Sequence, residues 1–184
     1  KDILNYSYKF KNKKIEFINR PKKLASDKSK TFDVIKHSIN YLRKNNNNFD
    51  YILLLEPTSP LTTYQDIDHT IKKLHMNRDK ADSIVSLTKN EKYHPFFNFT
   101  VKKNQIIQPI IPSQKDIRRQ SLPKVYYIDG SIYFSKIQSI LKHKTFIHKR
   151  TLACFLKDYK SIEIDDITDF LCAEFLSKNV NLLE

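Results

Sequence analysis

The chain has a single glycine, Gly130, among its 184 residues. Glycine-rich loops cradle phosphates because a backbone without a Cβ can approach the phosphate oxygens closely. One glycine is too few for a dinucleotide-binding fingerprint or a P-loop, each of which needs several glycines at fixed spacing. If the protein handles a nucleoside triphosphate, we expect its phosphate-binding loop to lie outside these residues.

The composition is that of an ordinary folded domain. Apolar residues make up 40% and aromatic residues 12% of the chain, unlike a disordered sequence, and this length suits one compact domain. The longest apolar run, 51–55, fits a buried strand and is far too short to cross a membrane. The first residues show no signal-peptide pattern. We therefore expect one domain over residues 1–184, in the cytoplasm and with no membrane partner.

The formal net charge of +13 would suit an acidic partner such as nucleic acid, a membrane surface or a triphosphate. The lysines are spread along the whole chain, however, so we interpret most of this charge as solvated surface and predict no nucleic-acid partner. The two cysteines, Cys154 and Cys172, lack the spacing of metal ligands. We expect both to be reduced residues of the core.

Hydrophobic periodicity predicts strands that alternate with helices. The apolar run within residues 50–56 indicates a strand that is covered on both faces, and residues 83–87 are a second candidate for a buried strand. Apolar residues at helical spacing indicate a helix capped by Ser29 or Thr31 and another that starts at Asp66. This order predicts an α/β fold with a mostly parallel, Rossmann-like sheet flanked by helices.

Weaker patterns predict the remaining elements. Short alternating pieces over 96–111 indicate a β excursion from the main sheet, and the basic stretch 142–157 fits an extended arm. Further short elements are a helix over 3–10, strands over 14–18, 131–134 and 161–164, and a closing helix over 167–176.

The strand at 50–56 is followed by residues that can bind a ligand. Residues 53–61 read LLLEPTSPL, so a buried strand leads to the carboxylate of Glu56 and to two hydroxyls, one of them on Ser59. The flanking prolines fix the backbone here, and in α/β sheets ligands gather at the carboxyl ends of strands. A strand followed by a proline-rich turn is the simpler alternative.

Two later segments also contain residues suited to binding. Residues 118–123 read RRQSLP, and the adjacent guanidinium groups of Arg118 and Arg119 can clamp a carboxylate or a phosphate in a bidentate manner. Residues 125–134 read VYYIDGSIYF and place Gly130 where we predict a tight backbone turn. A surface basic pair and an ordinary core strand are the alternatives.

Carboxylates are concentrated at the start of the closing helix, where residues 161–170 read SIEIDDITDF. Alternation along a strand would put Glu163 and Asp165 on one face. Two such carboxylates can hold Mg²⁺, which prefers oxygen ligands and usually retains waters and substrate phosphates. Asp166 and Asp169 are expected only to cap the helix.

Several of these segments resemble, in order, motifs of the acylneuraminate (CMP-sialic acid synthetase-like) cytidylyltransferases. Residues 56–62 are similar to the family's QPTSPLR turn, with Glu56 in place of glutamine and Thr62 in place of arginine. Residues 20–27 resemble its RPxxLAxD segment, and residues 94–95 its His-Pro element, in which we assign His94 no catalytic role.

The later motifs complete this resemblance, which covers the chain from about residue 20 to residue 170. Residues 118–123 resemble RRQxLP, and residues 161–170 resemble SIDIDTEEDF. Residues 129–134 resemble NGAIYI, with Gly130 on the family glycine and an aspartate in place of the asparagine before it.

The resemblance implies a fold and an activity. The fold is the family's Rossmann-like domain with a small β excursion and a dimerisation arm, for which 142–157 would serve. The family's first strand and phosphate loop would be missing from these residues, in agreement with the single glycine. The reaction would be transfer of CMP from CTP to a nine-carbon α-keto acid sugar, with Mg²⁺ as cofactor and pyrophosphate as the second product, in a homodimer.

The resemblance also implies site residues, which it assigns to three roles. Phe146 lies where a family aromatic enters the partner's site, although local packing is an equal alternative. The implied roles are catalysis for Arg118, Arg119 and Gln120, metal binding for Glu163 and Asp165, and substrate binding for Arg20, Ser29, Thr31, Glu56, Ser59, Asp129, Gly130, Tyr133 and Phe146.

Other functions remain as alternatives at this point. The changes at Glu56, Thr62 and Asp129 leave room for a cytidylyltransferase that acts on another acidic sugar. A catalytically inactive fragment or scaffold would keep the fold without the phosphate loop. A basic nucleic-acid-binding module would instead require clustered Lys and Arg beside exposed aromatics.

Overall fold

A four-stranded mixed sheet lies at the centre of the computed structural model, which describes residues 15–26, 28–90, 93–112 and 118–183. In these residues the strands are β1 (Tyr51–Leu55), β2 (Ser83–Lys89), β3 (Phe99–Val101), β4 (Ile107–Pro109), β5 (Tyr126–Lys136) and β6 (Thr151–Phe155). The α-helices are α1 (Thr31–Lys44), α2 (Tyr64–Met76), α3 (Ile137–His143) and α4 (Ile167–Lys178).

The strand order in the sheet is β1-β5-β2-β6. β5 runs antiparallel to both β1 and β2, whereas β6 runs parallel to β2. β1, β2 and β6 therefore share one direction, and β5 is the antiparallel strand between them. The predicted α/β fold with a mostly parallel sheet is confirmed in this sense.

Apolar clusters cover both faces of the sheet. On one face Ile35 and Ile39 of α1 pack with Val85, Ile137 and Ile140. On the other face lies a second cluster, which consists of Leu74, Ala81, Ile84, Phe134 and Cys154. Because neighbouring residues of β2 point to opposite faces, Val85 packs in the first cluster and Ile84 in the second. Cys154 is buried as predicted, but Cys172 is exposed, so the expectation that it is a core residue is wrong.

The helices confirm the predicted periodicity but correct one cap and one start. The helix predicted to begin at Asp66 begins at Tyr64, with Thr63 as its N-cap and Asp66 in its first turn. The N-cap of α1 is Lys30, without a side-chain hydrogen bond, and Ser29 Oγ instead donates to the carbonyl of Lys23 at 3.3 Å. The capping role predicted for Ser29 or Thr31 is therefore wrong. At α4, Asp166 and Asp169 form the predicted cap as a reciprocal capping box.

Two of the weaker strand predictions fail. Residues 15–18 form no strand, and the predicted helix over 3–10 lies outside the described residues, as does residue 14. Residues 162–164 form no strand either, because the N–H of Ile164 bonds to the carbonyl of Thr58 at 2.8 Å, in the turn after β1. The β excursion is confirmed, since β3 and β4 form a separate antiparallel pair.

The segment 142–157 is not an extended arm. It includes the end of α3 and the whole of β6, which pairs with β2. Phe146 is 7% exposed and packs in the core of its own chain, with its ring 5.4 Å from that of Tyr133. Its carbonyl accepts hydrogen bonds from Ser83 and Thr151, at 2.7 and 2.9 Å. Phe146 therefore packs locally within its own chain, as the alternative prediction has it.

No helix among the described residues combines the length and the hydropathy that a membrane crossing requires.

Asp82 joins the ends of three strands just before β2 begins. Its carboxylate accepts from Lys136 Nζ at 2.8 Å and from Arg150 Nε at 2.6 Å, and its backbone carbonyl accepts from the N–H of Lys136 at 2.9 Å. The hydrogen bonds from Arg150 and Lys136 lower the pKa of Asp82 from 3.8 to about 2. The charged carboxylate therefore stabilises the fold above about pH 4, and this contribution is lost as the pH falls through about 2.

We expect Asp82→Asn to lower the melting temperature at pH 7 by a few degrees, because both charge-assisted hydrogen bonds are weakened. The difference between the variant and the wild type should shrink between about pH 4 and pH 2, where the wild-type carboxylate becomes protonated. Thermal unfolding at a series of pH values measures both effects. Asp68→Asn, at an exposed position of α2, is the control. Parallel melting curves for wild type and Asp82→Asn over this pH range would contradict the assignment.

Gly130 occupies the one position where β5 requires a glycine. Its φ is +76°, in the left-handed region, and an ideal Cβ would lie 3.1 Å from Glu163 Oε1. The register between β2 and β5 shifts beside it, between Val85 and Leu87. The sole glycine therefore lets a turned backbone approach a carboxylate.

Gly130→Ala should destabilise the protein by about 1–2 kcal/mol through the left-handed backbone alone, with a further contribution from the contact with Glu163. Urea unfolding of Gly130→Ala in the wild-type and Glu163→Ala backgrounds separates the two effects. The cost should be smaller in the Glu163→Ala background but should not vanish. An equal cost in both backgrounds would show that the Glu163 contact is unimportant.

Candidate functional site

The turn after β1 carries the first group of candidate residues. Glu56 follows the last residue of β1, and the N–H of Ser59 closes the turn by donating to the Glu56 carbonyl at 3.2 Å. Ser59 is 5% exposed, and its hydroxyl has no hydrogen-bond partner within the described residues. The prolines on either side hold this short polar turn at the carboxyl end of the strand.

The segment before α4 docks onto the same turn. Besides the backbone bond from Ile164 to Thr58, the Thr58 hydroxyl donates to Glu163 Oε1 at 3.4 Å. The carboxylate of Glu163 also lies against Gly130 of β5. Residues more than 100 positions apart in sequence thus meet at one end of the sheet.

A buried ion pair fixes this docking. Lys160 is 8% exposed, and its Nζ lies 2.6 Å from Asp66 Oδ2 and 3.2 Å from Thr63 Oγ1, at the start of α2. Burial alone would raise the pKa of Asp66, but hydrogen bonds from Lys160 and Thr63 outweigh it, and the pKa is lowered. The charged pair therefore anchors the chain three residues before Glu163.

Asp129 and Tyr133 of β5 lie in different surroundings. Asp129 is 1% exposed, and its carboxylate accepts from Ser86, from Thr88 at 2.8 Å and from the N–H of Ser131 at 3.0 Å. It was predicted to bind substrate, yet in the structure it ties β5 to β2. Burial raises the pKa of Tyr133, and the nearby carboxylates, first Glu56 and then Glu163, raise it further. The phenol is therefore protonated at neutral pH and can donate a hydrogen bond.

A cavity of about 210 Å³ gathers four of the predicted substrate-binding residues, Thr31, Glu56, Tyr133 and Phe146. Its other lining residues are Phe32, Ile35, Leu54, Ile140, Lys144, Thr145 and Ile147. The chamber is thus mostly apolar, with a carboxylate and a phenol on its wall. Its size suits part of a ligand rather than a whole one.

A second cavity, of about 560 Å³, contains Arg119 and Gln120. The guanidinium of Arg119 lies over the ring of Phe97, 5.1 Å from its centre, while Arg118 is exposed and is not part of the lining. Sequence reasoning missed Lys89 and Lys124, which add positive charge to the same wall. Isolated lysines in a lysine-rich chain gave no signal that could have singled them out.

His94 also lines the larger cavity, and its role there is structural. It is 5% exposed, and its Nδ1 accepts from the N–H of Phe96 at 3.3 Å. Its Nε2 lies 3.1 Å from the carbonyl of Pro123 and therefore carries the proton. With both nitrogens engaged, His94 holds the segment that follows Arg119 and Gln120 in place.

Eight of the predicted site residues line neither cavity, namely Arg20, Ser29, Ser59, Arg118, Asp129, Gly130, Glu163 and Asp165. Arg20 is exposed, and Ser29 is engaged with Lys23. Asp165 is exposed close to Glu163, and its N–H donates to Asp169 at 3.1 Å. The described part of the chain contains no group of three or more His, Cys, Asp or Glu residues that could hold a metal ion. Glu163, which contacts the turn through Thr58, and the exposed Asp165 still fit Mg²⁺ as oxygen ligands, because this ion keeps several waters and phosphate oxygens in its coordination shell.

Sequence comparison identifies relatives of the chain, although no family model matches it. An N-acylneuraminate cytidylyltransferase of Escherichia coli O18:K1:H7 is 28% identical over 90% of this chain, which spans only 38% of that protein's length. A CMP-N,N'-diacetyllegionaminic acid synthase of Legionella pneumophila is 28% identical over 85% of this chain and 66% of its own length. A pseudaminic acid cytidylyltransferase of Campylobacter jejuni is 26% identical over 86% of this chain and 67% of its own length.

These relatives are all cytidylyltransferases or CMP-sugar synthases by name, and the matched region includes most of the chain. The sequence motifs point to the same group of proteins. Over most of its length, the chain is a homologue of the N-acylneuraminate cytidylyltransferases and the related pseudaminic and legionaminic acid CMP synthases.

Proposed function

We propose that the protein transfers CMP from CTP to a sialic-acid-type nine-carbon α-keto acid sugar and releases pyrophosphate. The observation that carries this proposal is the convergence of Glu56, Tyr133 and Glu163 at one end of the sheet, near the point where ligands bind in α/β folds. The names of the relatives support the same chemistry.

In the proposed reaction the anomeric hydroxyl of the sugar attacks the α-phosphorus of CTP. A bond forms between that oxygen and phosphorus, the bond to the bridging oxygen of the β-phosphate breaks, and pyrophosphate leaves with the electron pair. The hydroxyl proton passes to solvent or to a nearby base. Catalysis of this kind depends mainly on positioning and on electrostatic stabilisation.

The basic cavity would hold the acidic end of the sugar. Arg119 can bind a carboxylate through two parallel hydrogen bonds, and Gln120 can donate from its amide on the same wall. Arg118 is assigned to the same clamp. Glu56 and Tyr133 would contact the remainder of the sugar from the smaller cavity.

The nucleotide would lie on the side of the turn that carries the start of α1. Arg20, Ser29 and Thr31 are assigned to it. In the neighbouring turn, the Ser59 hydroxyl has no hydrogen-bond partner in the part of the chain that the structure describes. Glu163 and Asp165 are the residues assigned to hold Mg²⁺, which would neutralise the triphosphate and the leaving pyrophosphate. Assembly as a homodimer and a cytoplasmic location stay predictions.

We expect Arg119→Ala to reduce kcat/KM for CMP-sugar formation by about 100-fold, because a charge-assisted bidentate contact with the carboxylate is lost. The fold should persist, since Arg119 is exposed and its guanidinium lies over the ring of Phe97. Arg43→Ala, at an exposed position in the last turn of α1, is the matched control. Unchanged turnover by a folded Arg119→Ala protein would exclude the proposed clamp.

Asp165→Asn should abolish the response of the reaction rate to Mg²⁺ together with most of the activity, because a neutral amide is a poor ligand for a hard cation. Asp166→Asn is the control, since Asp166 caps α4 and asparagine caps helices equally well. Rates measured across a Mg²⁺ titration compare the two. If Asp165→Asn retains the wild-type Mg²⁺ response, the metal is held elsewhere.

A further inference from the structure

The 210 Å³ cavity has the carboxylate of Glu56 on its wall. Glu56 makes no side-chain hydrogen bond or ion pair with any other residue in the described ranges, although it is only partly exposed. The residues around it are mostly apolar, and Lys144 on the lining is not within ion-pair distance. A carboxylate held beside apolar surface retains its capacity to accept hydrogen bonds from a ligand.

The phenol on the same wall has a complementary property. Burial and the charge of Glu56 raise the pKa of Tyr133, so its hydroxyl keeps its proton at neutral pH. Tyr133 can therefore donate as well as accept, whereas the carboxylate of Glu56 can only accept. A ligand group that carries donors is matched by both residues. A group that offers only a carbonyl or carboxylate oxygen would place a second acceptor against the carboxylate of Glu56, and the two could form no hydrogen bond.

Charge decides which end of an acidic sugar enters this cavity. The smaller cavity carries Glu56 and a single basic residue, Lys144, and Glu56 would repel the carboxylate of such a sugar at short range. The lining of the larger cavity carries Lys89, Arg119 and Lys124 and no acidic residue. The smaller cavity is therefore suited to a part of the sugar away from its carboxylate. Its volume suits one compact substituent with an apolar portion.

We propose that Glu56 is a specificity-determining residue, which selects acidic sugars whose substituent in the 210 Å³ cavity carries a hydroxyl or amino donor. This inference rests on the proposed function, because it assumes that the sugar binds between the two cavities. A hydrogen bond between a donor and a charged acceptor in a half-buried setting corresponds to about a tenfold or larger preference in affinity.

Direct binding of sugars, measured by calorimetry without CTP, tests the inference independently of turnover. The probes are pairs of nine-carbon α-keto acid sugars that differ in one hydroxyl donor: acetamido against hydroxyacetamido, and terminal methyl against terminal hydroxymethyl. In the wild-type protein we expect at least one pair to favour the donor-bearing member about tenfold. Glu56→Gln should remove that preference for the same pair, because an amide also satisfies a carbonyl acceptor.

Two further variants keep the test interpretable. Glu56→Asp retains the charge and should retain the direction of the preference, which gives a second reading if Glu56→Gln unfolds. Glu174→Gln makes the same chemical change at an exposed position of α4 and should leave every affinity ratio unchanged. Binding of the sugars with ratios that are the same in wild type and Glu56→Gln would overturn this inference alone. Failure of every sugar to bind the folded wild-type protein would contradict the proposed function as well.

Discussion

The candidate site depends on the hydrogen bonds that the buried carboxylate of Asp129 accepts, because they fix β5 against β2. A carboxylate that is 1% exposed is costly unless hydrogen bonds satisfy its oxygens, and here the donors come from Ser86 and Thr88 of β2 and from the backbone of Ser131. Ser86 in turn accepts from the N–H of Ile132 at 2.9 Å. These bonds hold the middle of β5 against β2 at the place where the register shifts. Gly130 and Tyr133 take their positions from this fixed strand.

Long-range anchors bring the other half of the site to this strand. The pair Lys160–Asp66 and the backbone bond from Ile164 to Thr58 place the segment before α4 against the turn after β1. Glu163 then reaches the open side of Gly130, which a side chain would obstruct. The carboxylates beside Tyr133 therefore come from three distant parts of the sequence. Their shared effect on its pKa is the electrostatic consequence of that convergence.

Features set by local chemistry were predictable from the sequence. The apolar run of β1 with its polar turn and the capping box at Asp166 depend on neighbouring residues, and they are found as expected. The predicted arm failed because the partner of its second half, β2, lies 68 residues earlier, where Ser83 bonds to Thr151. The capping role of Ser29 failed because the helix begins one residue later, with Lys30 as N-cap, and the Ser29 oxygen accepts from the N–H of Ser26 instead. Lys89 and Lys124 could not be singled out, since only the fold brings them to one cavity wall.

Measurement of pyrophosphate release tests the proposed transfer of CMP to an acidic sugar most directly. The natural protein, with any residues that flank these 184, would be incubated with Mg²⁺, each of the four common nucleoside triphosphates in turn, and a panel of nine-carbon α-keto acid sugars. We expect pyrophosphate release with CTP alone among the nucleotides and only when an acidic sugar is present. The amount of pyrophosphate should equal the amount of CMP-sugar formed. Release that does not depend on the sugar, or its absence with every acidic sugar while the protein is folded, would contradict it.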